Sequence, residues 1–497
     1  MTPPQHIDPD APARAEVAET HISVITMIGD RAYKLLKPIA TGFLDHRARE
    51  DRREACRQET EANRRFAPDV YLGVLDVVDQ DGQPLEHLIE MRRLPAHRAL
   101  GTLLDQPGAE GRVREVGTAV AALHRDSPRS REIDRAGRPE VVRALWEDGL
   151  DELAAAAPGV VPGDEVERAR ALARTYLDGR GPLFTHRIAL DRVRDGHGDL
   201  LADDIYLLDD GPRVLDCLAF DDRLRHGDVL LDVASLAMDL ATRDRADLAQ
   251  VLLDEWSSAL DEEHPRSLRD HYMAYRAHVR SKVAAIRSAQ GDAAAGDTAR
   301  SLHAFATGML DRAQVRLVLV GGAPGTGKST VAAGLGHVTG AGVVRSDAVR
   351  KRLAGLDPEE AAPAPWREGH YTQEVTERVY AEMLRRAESL LEHGQDVVLD
   401  ASWSAAPHRE AARRLAERCG ARIVELRCEV APAVAAARIE ERGRRGGDPS
   451  DATPDVAERL SAASDPLPSS IALPTDAAPA EVAADAARHV GVTRSLA

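Results

Sequence analysis

The sequence predicts an α+β domain followed by an α/β domain whose strands run parallel. Three observations carry this reading. From residue 315 onward, strand-like and helix-like segments alternate, a rhythm that gives a parallel sheet covered by helices. The stretch VLVGGAPGTGKST, residues 318–330, joins a buried-strand pattern to a helix through glycines. The front of the chain begins instead with a hairpin pattern, HISVITMIGDRAYKLLKPI, turning at Gly29-Asp30.

The 497 residues leave room for about three units of ~150 residues. With 43% hydrophobic and 30% charged residues, the composition excludes a disordered chain. No apolar run approaches the ~20 residues that cross a bilayer. The N-terminal stretch lacks the basic start and apolar core of a signal peptide, so a cytoplasmic location is expected. Cys56, Cys217, Cys419 and Cys428 are scattered without metal or redox spacing, and are read as buried, reduced thiols. A formal net charge of −17 opposes a general nucleic-acid role, which needs cations to neutralise phosphates. The expected partner is a small-molecule phosphoryl acceptor. No membrane partner is expected, and nothing in the composition speaks to oligomeric state.

In the rear domain, Gly322, Ala323, Pro324, Gly325, Thr326, Gly327, Lys328 and Ser329, with Thr330 behind them, satisfy GxxxxGK[ST] at every fixed position. Glycines let backbone N–H groups turn inward around phosphate oxygens, and the following helix adds favourable partial charge. Lys328 is expected to reach the β- and γ-phosphates of ATP, and Ser329 to hold Mg²⁺. GVVRSD and DVVLDAS read as strands that end in Asp347 and Asp400. Asp347 is the candidate base for a substrate hydroxyl, and Asp400 the support for Mg²⁺. Arg438 and Arg442, on the helix of ARIEERGRR, are candidate lid cations for the transferring phosphoryl group.

GAPGTGKST, RSDAVR, VVLDASW and ARIEERG resemble the small AAA-type P-loop kinases, the group of gluconate kinase, zeta toxin and polynucleotide 5′-kinase. The resemblance covers about residues 315–492 and implies an ATP-binding kinase domain. It places the proton acceptor on Asp347, a substrate contact on Arg350, and the lid on Arg438 and Arg442.

The front of the chain carries a second array. Lys34 lies in the second strand of the hairpin, and CRQETEANRRFAP reads as a helix bearing Glu59. A strand lysine with a helix glutamate is the pair that holds ATP phosphates in protein-kinase-like folds. His197-Gly198-Asp199 then precedes Asp204 by the spacing of a kinase catalytic loop, and a hairpin around DDGP leads to Asp216. Asp199 is the candidate base, and Asp204 and Asp216 the candidate metal ligands.

GHGDL and LDCLAFDDRLRHGDV resemble the aminoglycoside phosphotransferase-like family. With ETHISVITMIGDRAYKLLKP and YRAHVRSKVAAI, the chain is similar to a bacterial group that fuses such a domain to a P-loop kinase. The resemblance implies a bilobal protein-kinase-like domain over residues 15–290 and the P-loop domain over 315–492; between them the small, polar, Gly/Ala-rich stretch that begins RSAQGDAAAGDTARS is read from its composition as a linker region, over 287–312. Two positions depart from the pattern. Asp204 stands where the family has Asn, and Ala219 where the related group has an acidic residue. Lys37 is a neighbour with which Lys34 can be confused. No glycine-rich cover is visible, so phosphate grip falls to Thr20 to Ser23.

His124 is read as a packed histidine. Arg276 and Arg280 share a helix face, and are read as acidic-substrate contacts, domain contacts or a solvated surface. The expected function is an ATP- and Mg²⁺-dependent phosphotransferase acting on an alcohol group of a small metabolite. The alternatives are a polynucleotide 5′-hydroxyl kinase, and a P-loop kinase controlled by a catalytically weak, nucleotide-sensing front domain.

Overall fold

The computed structural model describes residues 15–20, 22–40, 45–156, 158–357, 372–445 and 464–491. Two compact units are present, and both are discontinuous in sequence. One takes in Met1–Gly137 and Asp191–Glu263, the other Arg138–Leu190 and His264–Ala497. Strands and helices are numbered along the chain.

The first unit opens with β1 (Glu16–Glu19), β2 (Ser23–Ile28), β3 (Arg31–Leu36), α1 (Arg49–Arg64), β4 (Tyr71–Val78) and β5 (Pro84–Arg92). The strands form an antiparallel sheet in the order β1-β2-β3-β5-β4. Gly29 makes the expected turn with φ +58°, a conformation glycine adopts without steric cost. β1 was not anticipated; its four residues are all exposed, so no apolar alternation marks it. In β3 successive side chains face opposite sides, which sends Ala32, Lys34 and Leu36 inward together. They join Cys56, Val70, Tyr71, Ile89 and Met91 in the core beneath α1.

The rest of the unit is helical: α2 (Leu100–Leu103), α3 (Ala109–Asp126), α7 (Val229–Thr242) and α8 (Ala246–Leu260), with α8 packed on both α3 and α7. Two small ribbons, β6 (Val193–Asp195) with β9 (His226–Asp228) and β7 (Ile205–Leu208) with β8 (Gly211–Val214), carry the intervening loops. α7 is buried on almost every side, and Asp228 caps it by accepting from Leu230 N at 2.9 Å. A helix buried all round is expected to be apolar throughout. α7 nonetheless contains Asp232, also buried.

The second unit begins with α4 (Pro139–Ala156), α5 (Gly163–Asp178), α6 (Gly181–Ala189), α9 (Arg266–Ala289) and α10 (Ala293–Ala313). It continues through β10 (Arg316–Gly321), α11 (Lys328–Thr339), β11 (Gly342–Arg345), α12 (Ser346–Leu353), α13 (Gln373–Glu392), β12 (Val397–Asp400) and α14 (Ala406–Arg418). β13 (Arg422–Glu429), α15 (Pro432–Arg445), β14 (Ile471–Pro474) and α16 (Pro479–Val490) complete it. The five strands are parallel, in the order β11-β12-β10-β13-β14. Every residue of β10 is buried, as a central strand covered on both faces requires.

The expected linker over 287–312 is instead the end of α9, a turn at Gly291 and most of α10. Small alanine-rich sequence reads as linker by composition, but alanine is also the strongest helix former. Asp292 caps α10, accepting from Ala295 N at 3.3 Å. Buried Ala295, Ala299 and Ala306 let α10 lie close to α9, and Ser281 Oγ donates to Ala299 O at 2.7 Å. The helices are also tied to the parallel sheet. Buried Arg180 donates to Cys419 O at 2.7 Å, Ser267 Oγ to Gly394 O at 2.7 Å, and Arg266 pairs with Asp396 at 3.3 Å. The compact unit around the sheet therefore includes residues that the sequence assigned to the front domain. Arg276 is buried within it, which removes the solvated-face reading for that residue.

Two histidines of α9 lie in this helical layer. Trp146 Nε1 donates to His271 Nε2 at 3.2 Å, and the His278 ring stacks on Trp146 at 5.2 Å. Burial pushes His271 down to about 3, with Arg180 adding to the shift, and burial pushes His278 to about 3, with His303 adding. Both are neutral in the fold and regain an ordinary pKa near 6.5 on unfolding. Their contribution is therefore complete above pH ~6.5 and is lost as pH falls toward ~3. His278→Phe is expected to flatten the dependence of unfolding free energy on pH by about 1.4 kcal/mol per unit between pH ~6 and ~4. Urea unfolding across that range checks it; parallel curves for the two proteins would contradict it.

Candidate active sites

In the first unit the inward face of β3 delivers Lys34 to the carboxylates of α1 and of the segment after β8. Lys34 Nζ lies 2.6 Å from Glu59 Oε1 and 3.2 Å from Asp216 Oδ1. Burial pulls the Lys34 ammonium down, but the Glu59 and Asp216 carboxylates outweigh it and hold the group well above its ordinary value. Lys34 holds Asp216 below the usual carboxylate range. Lys37 points elsewhere and pairs with Glu19 at 2.6 Å.

Asp216 has φ +63°, a left-handed conformation that costs a non-glycine residue ~1–3 kcal/mol unless its surroundings impose it. They do so here. Its N–H donates to the Tyr71 hydroxyl at 3.2 Å. The next peptide is gripped by Asn63, whose Oδ1 accepts from Cys217 N at 2.8 Å and whose Nδ2 donates to Cys217 O at 3.3 Å. The Asp216 side chain remains 61% exposed, so its free face meets solvent. Asp204 ends a 3-10 turn and lies beside this segment, its carbonyl accepting from Leu215 N at 2.9 Å.

Asp199 stands on the loop after β6, and that loop is held from behind. Asp232 accepts from His197 N at 2.7 Å and from Gly198 N at 2.9 Å. Its Oδ2 also lies 3.1 Å from His124 Nε2, while Trp256 Nε1 donates to His124 Nδ1 at 2.9 Å. The tryptophan donor assigns the His124 proton to Nε2, facing Asp232. Burial pushes the Asp232 carboxyl up, but His124, His197 and the backbone donor overcome it and hold it far below the usual range. His197 in turn donates from Nε2 to Leu215 O at 2.9 Å, and burial keeps its ring neutral. The loop bearing Asp199 and the segment bearing Asp216 are thus locked together. Asp232 and Asn63 were not singled out from the sequence. The signal for Asp232 was a carboxylate inside the apolar run VLLDVASLAM.

In the second unit β10 feeds the glycine-rich loop. Gly322, Gly325 and Gly327 have φ of +136°, +80° and +87°. A Cβ on Gly325 would lie 2.4 Å from Ala435 O, and one on Gly322 would lie 2.7 Å from Cys428 O. Lys328 opens α11, and its Nζ donates to Ala323 O at 2.9 Å across the loop. The Ser329 hydroxyl lies near Asp400 at the end of β12 and favours the charged form of its carboxyl. Burial pushes the Asp400 carboxyl up, against Lys328, Ser329 and Arg345, the last at 3.4 Å. Thr330 follows within α11.

Asp347 lies in the first turn of α12 rather than at the end of a strand; β11 stops at Arg345. An acidic residue there complements the helix N-terminus. Arg350, one turn on, is buried and reaches Thr376 Oγ1 at 3.4 Å. Arg438 donates to Thr475 O at 2.8 Å beside Gly327. Arg442 lies on α15, its side chain outside the described residues.

Among the described residues, no three His, Cys, Asp or Glu side chains converge as a metal cage. Mg²⁺ in phosphotransfer sites takes one or two carboxylates and completes its shell with phosphate and water. The hard-oxygen set of Ser329 and Asp400 fits that demand, as does exposed Asp216 with Asp204 on the adjoining turn.

Asp232→Ala is expected to cost on the order of 3–5 kcal/mol in urea unfolding, because two backbone N–H groups and a histidine lose their buried acceptor together. His124→Phe removes only one of those bonds and is expected to cost about 1–2 kcal/mol. Equal losses in the two variants would remove Asp232 from its central place.

A family model for the AAA domain matches residues 317–467. Among solved structures the chain is similar to a choline/ethanolamine kinase family protein from Mesorhizobium loti, at 16% identity and a TM-score of 0.38, covering 61% of this chain and 87% of that one. It is also similar to a gluconokinase from Sinorhizobium meliloti, at 17% identity and a TM-score of 0.27, covering 36% and 91%. Among the described residues no helix is long and apolar enough to cross a membrane. Over 449 residues the chain is 41% identical to Rv2004c of Mycobacterium tuberculosis and to Mb2027c of Mycobacterium bovis, covering 90% of this chain and 89% of each relative. That identity, along nine-tenths of the sequence, places the chain in the family of these mycobacterial proteins.

Proposed function

We propose that the chain is an ATP- and Mg²⁺-dependent phosphotransferase that acts on a hydroxyl of a small metabolite, with ATP-type sites in both units. The observation that carries the reading is the cluster of Lys328, Ser329 and Asp400 at the carboxyl ends of β10 and β12, beside a loop whose backbone calls for glycine at 322, 325 and 327. Loop N–H groups and Lys328 bind the phosphates. Ser329 and Asp400 would hold Mg²⁺, which neutralises phosphate charge when bound. Asp347 accepts the proton of the acceptor hydroxyl as its oxygen bonds to the γ-phosphorus and the bond to the β-phosphate oxygen breaks. Arg438 lies beside the loop, where it can meet the charge on the transferring group.

In the first unit Lys34 is the phosphate cation, Asp216 and Asp204 are the metal ligands, and Asp199 is the base. Asp204 adds a carboxylate where the resembling family has a neutral amide, which strengthens the demand for a metal alongside the nucleotide.

The test is a phosphoryl-transfer screen of the full-length chain against sugars, aminoglycosides, nucleosides and 5′-hydroxyl oligonucleotides. Lys328→Ala is expected to lower turnover at the rear site by about 100-fold or more. Asp347→Asn is expected to lower kcat by about 100-fold with ATP affinity within about twofold of wild type, since a base acts on the acceptor. Unchanged turnover in both variants would sink the rear assignment; transfer only to oligonucleotides would replace the small-molecule acceptor.

A further inference from the structure

The residue after β14 is joined to the glycine-rich loop. Buried Thr475 donates from its hydroxyl to Thr326 O at 2.7 Å. Its own N–H donates to Glu429 O at 2.9 Å, which fixes it to the end of β13. From α15, Arg438 donates to Thr475 O at 2.8 Å and reaches its Oγ1 at 3.4 Å. A Cβ on Gly327 would sit 3.5 Å from Thr475 Cβ and 3.6 Å from Arg438 Nη1, so the three residues are in close contact. The Thr326 hydroxyl is spent inside the loop, donating to Ala323 O at 2.8 Å.

The hydroxyl of Thr475 has one proton. Glu429 O lies 3.2 Å from it but already accepts the Thr475 N–H. The shorter contact, to Thr326 O, takes the proton. In a planar trans peptide the carbonyl and the following N–H point in opposite directions. Holding the Thr326 carbonyl toward Thr475 therefore turns the Gly327 N–H away from Thr475. Gly327 is the cap of α11, the helix whose N-terminal amides favour an anion. The orientation of this one peptide decides whether the donor at the mouth of the helix faces an anion.

We propose that Thr475 is a positioning residue for the phosphate-binding loop, aiming the Gly327 N–H at the polyphosphate of a bound nucleotide and coupling that aim to Arg438. This rests on the reading of the rear site as a nucleotide site. The sequence marks Thr475 only as the residue after IALP; its role depends on a partner 149 residues away.

The test uses the full-length chain with Lys34→Met throughout, so that the rear site is read alone. Thr475→Val removes the hydroxyl at nearly constant volume, and Thr475→Ser restores it. Mg²⁺-ATP, inorganic pyrophosphate and adenosine are titrated by calorimetry, and amide exchange is followed over residues 322–330. Thr475→Val is expected to weaken Mg²⁺-ATP and pyrophosphate about tenfold, leave adenosine unchanged, and speed exchange in that segment. Thr475→Ser is expected to recover affinity to within about twofold. Wild-type affinity in Thr475→Val, unchanged exchange, or a Thr475→Ser as weak as the valine variant would overturn the proposal alone. If Lys328→Ala binds Mg²⁺-ATP as tightly as its parent, the rear site is not a nucleotide site, and both readings fall together.

Discussion

Charge taken out of water has to be met by opposite charge or by hydrogen bonds, and this requirement organises both units. In the first unit Lys34, buried by the alternation of β3, draws Glu59 from α1 and Asp216 from the segment after β8 to one point. Asp232, sealed inside α7, is met by two loop N–H groups and by His124. In the second unit Asp400 is met by Ser329 and Arg345, and fully buried Asp270 by Arg266 at 2.9 Å and Arg269 at 2.7 Å. Such pairs contribute little net stability against an apolar alternative, but removing one partner is costly. Their effect is to fix which segments face one another.

This explains which parts of the molecule were legible in the sequence. The glycine-rich loop is a local device, and its spacing, strand and helix all appear within about twenty residues. Lys34 was also legible, because a lysine inside an alternating strand has either the core or the solvent as its side. Asp232, Asn63 and Thr475 were not, because each acts on backbone atoms far along the chain, and no spacing rule connects them. The segment 287–312 was misread for another reason. Small residues suit a flexible connection and a close helix pair equally well, and only the presence of α9 as a surface to pack on decides between them. Asp347 shows a milder case: its place near a strand end was read correctly, but the chain turns into helix two residues sooner.

The parallel sheet does not stand by its own helices alone. Arg180, Ser267 and Arg266 attach residues from α6, α9 and the preceding turns to the ends of β12 and β13 remote from the glycine loop. The contact at Gly179 is so close that a Cβ there would lie 2.0 Å from Cys419 O. Backbone therefore meets backbone at this seam, with no side chain available to absorb a shift.

The interleaving of the two units has a consequence for synthesis on the ribosome. The first unit has all its residues once Glu263 has emerged, whereas α4, α5 and α6 belong with strands that begin at Arg316. Between the end of α6 at Ala189 and that strand lie 126 residues, which at ~5–20 residues per second take on the order of ten seconds to make. During that interval α4 and α5 gain their partners only as α9 and α10 emerge, and the start of α6 has no sheet to close on. The first unit closes around a gap in its own sequence while the inserted helices wait, and the nascent chain passes through a state in which one unit is complete and the other is exposed.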